Sequence, residues 1–174
     1  MRKNCYLILF FLISFSVSAE KIVTIKLSYI FENSNDYVAF IEKLNKKKDQ
    51  LQKQFEIKEK ELIDKKQEIE ESKILLSEEE MNITIDKFNE ETLRFNENMN
   101  YYNALINENI ELNKNIVLKE IALIVRNLSI ENNYELILNE DQYFLSSDHL
   151  DISEIIIKIL NNKNIDLIIS EKIK

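Results

Sequence analysis

From about residue 35 to residue 127, apolar side chains return every seventh position, the spacing that lines them up in one seam along a helix. One series runs Ile41, Lys48, Phe55, Leu62, Ile69 and Leu76. A second, three residues on, runs Leu44, Leu51, Lys58, Lys65 and Ser72, and is apolar only at its start. The seam is therefore two positions wide at first and thins to one. A single helix of some ninety residues would be about 135 Å long, so a break is expected. Ser77-x-x-Glu80 is a capping box placed before a new apolar residue, Met81. Beyond it a new series runs Met81, Phe88, Phe95, Tyr102, Asn109, Ile116 and Leu123. Its companions are first polar (Thr84, Glu91, Asn98) and then apolar (Leu105, Leu112). The poor seam adjoins Ser77 on both sides, and the rich seam lies far from it on both sides. Two antiparallel helices folded near residues 77–80 pair rich with rich and poor with poor.

The flanks have a different period. Residues 21–27, "KIVTIKL", alternate and are β-branched, which predicts a strand. Tyr29, Ile30 and Phe31 follow as a short apolar turn. The return helix is expected to stop between Asn127 and Asn133, where Asn takes the left-handed role of a missing Gly. Residues 134–139 and 142–146 read as two further strands. Asp151 with Glu154 reads as the cap of a last helix whose apolar face is Ile152, Ile155, Ile156, Ile159 and Leu160. Residues 162–174 form a tail, with residues 165–169 as one more candidate strand. The fold class is α+β, mostly α: a β-rich body from residues 20–34 and 128–161, and a helical-hairpin arm over residues 35–127. So small a body lacks a self-sufficient core, and oligomerisation through it is the natural remedy.

Composition removes several functions. The chain has no Gly and no Pro, so it has no Gly-rich phosphate loop and no dinucleotide fingerprint. Its net charge of −8, with both signs interspersed, excludes nucleic acid as a natural partner. Arg2 and Lys3, an apolar stretch from about Tyr6 to Val17, and Val17-Ser18-Ala19 read as a secretory signal peptide over residues 1–19. Its removal takes Cys5, Arg2 and Lys3, leaving 21 basic against 31 acidic residues, or −10. The exported chain then has no Cys, which removes disulfides, thiol nucleophiles and Cys-ligated metals.

The one His, His149, stands between Asp148 and Asp151. Catalysis would also need a nucleophile or a second positioned group, and a lone His with carboxylates on a loop reads as a solvated residue. Glu78 to Glu80 suit a helix N-terminus and need no Ca²⁺ to explain them. "NKKKDQ" reads as a solvated helix face. No cofactor, metal or enzymatic activity is indicated.

The order signal peptide, "KIVTIKLSYIFENS", long charged hairpin, "YELILNEDQYFLSSDHLDISEIIIKIL" resembles the OmpH/Skp family of periplasmic outer-membrane-protein chaperones, from Lys21 to about Leu160. The resemblance implies a jellyfish-like homotrimer in the periplasm, whose arms hold unfolded outer-membrane proteins in a cavity without ATP. It implies a trimer body built on Val23, Ile25, Leu27, Phe31, Leu136, Leu138, Phe144, Ile152, Ile155, Ile156 and Ile159. Candidate client contacts on the arm are Phe55, Phe88, Phe95, Tyr101 and Tyr102, whose other reading is the hairpin's own seam. Peripheral membrane contact is a partner reading that the acidic charge disfavours. The rival function is a structural or adaptor coiled coil of the cell envelope.

Overall fold

The structure is a computed structural model that describes residues 21–171; the signal-peptide reading lies outside the described residues. Strand β1 (Ile22–Ile25) leads into a short helix α1 (Leu27–Glu32) and a long helix α2 (Asn35–Ser72). After a tight tip, helix α3 (Glu78–Asn132) returns to strand β2 (Leu136–Asn139) and a last helix α4 (Ser153–Asn161). At 1.5 Å per residue, α2 is about 57 Å long and α3 about 82 Å. The extra length of α3 runs past the start of α2 and supports the body.

The tip forms where the sequence marks it. Ser77 Oγ accepts from the Glu80 N–H, and Glu80 Oε2 accepts from the Ser77 N–H at 3.0 Å and from its hydroxyl at 2.6 Å. This reciprocal box satisfies donors that a helix start leaves unpaired. At the other end of α3, Asn133 has φ 56° and ψ 46°, the only positive φ among the described residues. Asn tolerates that left-handed cap, in a chain with no Gly to offer.

β1 and β2 pair in parallel, with Ile22 opposite Leu136 and Ile25 opposite Asn139. Parallel strands need a long crossover, and here the crossover contains the whole hairpin. The core joins Val23, Ile25 and Ile30 to Val117, Ile121, Ile124 and Leu128 of α3 and to Ile156, Ile157 and Leu160 of α4. Leu27, Phe31 and Ile159 pack around it, partly buried. Residues far apart in sequence supply the missing caps. The Leu27 N–H donates to Asn139 Oδ1 and the Ser28 N–H to Glu140 Oε1, so the end of β2 and the residue after it cap α1. The Asn35 N–H donates to Asn161 Oδ1, so the end of α4 caps α2.

Three expectations change. Residues 142–146 are not a strand: a 3₁₀ turn at Glu140–Gln142 ends β2, and the place beside β1 goes to Asp151, which bridges to Thr24. The Thr24 and Ser146 hydroxyls meet at 3.2 Å on the way. The Asp151–Glu154 capping box does not form. Asp151 Oδ1 accepts from the N–H and hydroxyl of Ser153, while Glu154 Oε1 takes the Tyr29 hydroxyl at 2.6 Å. Finally, the buried row of α3 slips off the predicted series near the body. Leu105, Asn109, Asn113, Val117 and Ile121 follow one another at steps of four, so the row arrives at Val117 and Ile124, one residue past the expected Ile116 and Leu123, and Leu123 is exposed.

Candidate functional site

Midway along the hairpin one ring gathers the others. Phe55 of α2 packs edge-on against Phe95 (centroids 5.9 Å apart) and Tyr102 (5.7 Å) of α3, and Tyr101 packs against Tyr102 at 5.7 Å. Such T-shaped pairs match ring edge to ring face. They bridge the helices without closing the space between them. A cleft of about 460 Å³ lies on one side, lined by Leu51, Phe55, Phe95, Met99, Tyr102 and Ile106 among others. A second, of about 360 Å³, shares Phe55 and Phe95 and is rimmed by Lys58, Glu91 and Arg94. Toward the tip the helices meet on a single buried row, Leu62 and Ile69. There Lys65 Nζ donates to Glu91 Oε1 across the hairpin at 2.6 Å, and that bond holds the Glu91 carboxyl below its ordinary pKa.

Of the five predicted arm residues, four share this cluster. Phe88 is half-buried two turns nearer the tip and joins no ring pair among the described residues. Heptad reading missed Met99 and Ile106. Both sit four residues beyond a seam aromatic (Phe95, Tyr102), the spacing of one helix face, and that was the available signal. At the tip, Ile74 and Leu75 are 92% and 84% exposed.

A second site lies at the base of the arm. The tail follows the groove between α2 and α3 in an extended path. Asn109 Oδ1 accepts from the Ser170 N–H at 2.6 Å, and its Nδ2 donates to the Ser170 carbonyl at 3.0 Å. Asn113 does the same for Ile168, at 3.0 and 2.8 Å. Both carboxamides are essentially fully buried, 1% and 0% exposed. The Ile165 N–H donates to Asp36 Oδ2, and Lys163 and Glu171 pair with Glu120 and Lys47. The predicted strand at residues 165–169 is thus an extended segment paired with side-chain amides instead of a neighbouring strand.

The expected body residues divide into two groups. Val23, Ile25, Ile152 and Ile156 are buried in the single chain. Leu136 and Ile155 are about half exposed, Leu138 is intermediate, and Phe144 is fully exposed at 105% beside exposed Leu145. Ile157 takes the inward position on α4 that the sequence reading gave to Ile155. The outer edge of β2 has no strand partner among the described residues.

Electrostatics in the body is structural. Partial burial of the Asp151 carboxyl pushes its pKa up, but bonds from Ser153 and from Lys26 at 2.9 Å outweigh burial and hold it below 3.8. Glu154 holds the Tyr29 hydroxyl above its ordinary range through their hydrogen bond. His149 is exposed in a 3₁₀ turn. Among the described residues no group of His, Cys, Asp and Glu could hold a metal ion, and no helix is long and apolar enough to cross a membrane.

Comparison with known proteins agrees with this arrangement. The profile of the family described as "Outer membrane protein (OmpH-like)" matches residues 21–160. The crystal structure of a Caulobacter crescentus CB15 protein, described as an outer membrane chaperone (OmpH-like), is similar in fold. Its TM-score is 0.77 at 9% identity, covering 90% of this chain and 93% of the other. A sequence comparison with curated proteins gives no match.

Proposed function

Because the chain belongs to the OmpH-like outer membrane protein family, whose chaperones are periplasmic, we propose that it is an ATP-independent holdase for unfolded outer-membrane proteins. The observation that carries this reading is the half-open hairpin around Phe55, Phe95 and Tyr102. Ring edges and apolar side chains line clefts on both of its sides, rimmed by charge. Such a surface offers many weak contacts and no single deep pocket. It suits a chain whose strands alternate apolar and polar side chains and aggregate until they close into a barrel.

The proposed assembly is a homotrimer. Ile22 and Leu136 stand side by side in register, both exposed, on a two-stranded sheet whose β2 edge is open. Phe144, Leu145 and Ile155 add further uncovered apolar surface. A bare two-stranded sheet is marginal, and an open strand edge invites pairing. Three bodies packed through these residues cover both and hold three arms around one cavity. The acidic charge disfavours anionic lipid as a ligand.

The test is the mass of the exported protein in solution, alone and with a urea-denatured outer-membrane β-barrel protein. The expected results are a trimer alone, and a trimer carrying one soluble client when mixed. A strictly monomeric protein, or one that leaves client turbidity unchanged, overturns the reading. Capture of one folded envelope protein with no affinity for denatured chains would instead support the adaptor function.

A further inference from the structure

The two carboxamides at the base of the arm bind main chain, not side chains. Asn109 and Asn113 are one helical turn apart, about 6 Å along the axis. Residues 168 and 170 of an extended chain are about 6.7 Å apart. Each carboxamide presents one acceptor and donors in the geometry of a peptide group. Two such groups at matching spacing therefore read the N–H and C=O of alternate residues, as a neighbouring strand would. No tail side chain takes part in these four bonds. The tail's alternation completes the match: Ile165 and Leu167 pack toward the core, while Asp166 and Ile168 face outward.

Two features make the occupant exchangeable. Each Asn keeps a bond inside α3, from Nδ2 to the carbonyl four residues earlier, so when the tail leaves only the two Oδ1 atoms lose a partner, and water or an incoming chain can supply one. The tail's other ties are also few: the Ile165 N–H on Asp36, the Tyr101 hydroxyl on the Glu171 carbonyl at 3.5 Å, two salt bridges of partly exposed side chains, each a weak contribution, and the packing of Ile165 and Leu167. We propose that Asn109 and Asn113 form a receptor for the backbone of an extended polypeptide, that residues 165–171 are its resident occupant, and that a strand of an unfolded outer-membrane protein displaces them. The tail is then a built-in stand-in for client: it fills the groove when the chaperone is empty and yields it when client arrives. This rests on the holdase reading.

Amide hydrogen exchange of the full-length protein tests it, with and without excess urea-denatured outer-membrane β-barrel protein. Displacement makes the Ile168 and Ser170 amides exchange at least about tenfold faster when client is bound, because their protection comes from a local contact. A second arm uses full-length Ile168→Pro, which deletes the N–H that Asn113 accepts and places nothing new in the body. This variant should bind the same client more tightly, and a synthetic peptide of residues 163–171 should reverse the gain. Bound client with an unchanged, protected tail, or equal client affinity in Ile168→Pro, overturns the displacement and leaves the holdase reading standing. Failure of the wild-type chain to bind client at all overturns both.

Discussion

Ile155 and Ile156 are adjacent on α4, and their substitutions should behave differently. Ile156 has no exposed surface and touches the core that joins α3, α4 and β1. Ile156→Ala removes three carbons, worth about 2.4 kcal/mol at roughly 0.8 kcal/mol per buried methylene. The cavity left behind raises the total to about 2–5 kcal/mol. At roughly 2–4 °C per kcal/mol for a chain of this size, a loss of about 3 kcal/mol lowers Tm by about 6–12 °C. Ile155 is 44% exposed in the single chain. Ile155→Ala should change the stability of a dissociated chain by no more than about 0.5 kcal/mol. In the proposed trimer the same substitution weakens association. The assay is urea unfolding by circular dichroism over a wide range of protein concentrations, paired with sedimentation. The Ile156→Ala deficit should persist at every concentration, and the Ile155→Ala deficit should appear only where the protein associates. Equal deficits in the dissociated chain would refute the orientation of α4. An Ile155→Ala protein with unaltered association would remove Ile155 from the trimer face.

Two further outcomes follow from local chemistry. The Asp151 carboxyl is held below its ordinary value of 3.8, so its contribution to stability is complete above that pH and is lost as pH falls beneath it; the stability gap between wild type and Asp151→Asn should therefore shrink below pH 3.8 in acid titrations of unfolding. Ser77→Ala removes the cap at the start of α3, at about 1 kcal/mol, and should speed amide exchange at residues 78–81 while leaving the body amides unchanged; body amides that quicken equally would show that tip and body unfold as one.

The hairpin was legible because its signals are local and repeated. Heptads fix the seam, Ser77 and Glu80 mark the turn, and folding there sets Phe55 against Phe95 and Tyr102. Asn133 was legible for a related reason: a chain without Gly leaves few residues able to take a positive φ. The rest depends on long-range competition. Nothing in residues 142–146 says that Asp151 will take the place beside Thr24, since that choice is made by atoms far apart in sequence. Ile155 and Ile157 are chemically alike, and only packing against α3 decides which turns inward. The tail groove was hidden differently. Asn109 reads as a polar position in the seam and Asn113 falls outside both heptad series, and their role emerges only when a third segment lies along them.

The pairing of β1 with β2 makes the two helices of the arm dependent on each other in length. The hairpin is the tether that delivers Leu136 opposite Ile22. Removing seven residues from each helix shortens the tether by about 10.5 Å on both legs, and the strands still arrive in register. Removing seven from one helix alone offsets one strand from its partner by that same distance. A longer or shorter arm can therefore arise only through coupled insertions or deletions on the two sides of the tip. Relatives with arms of different reach should differ by matched pairs of heptads, and unmatched changes should be confined to the few residues between Ser72 and Glu78.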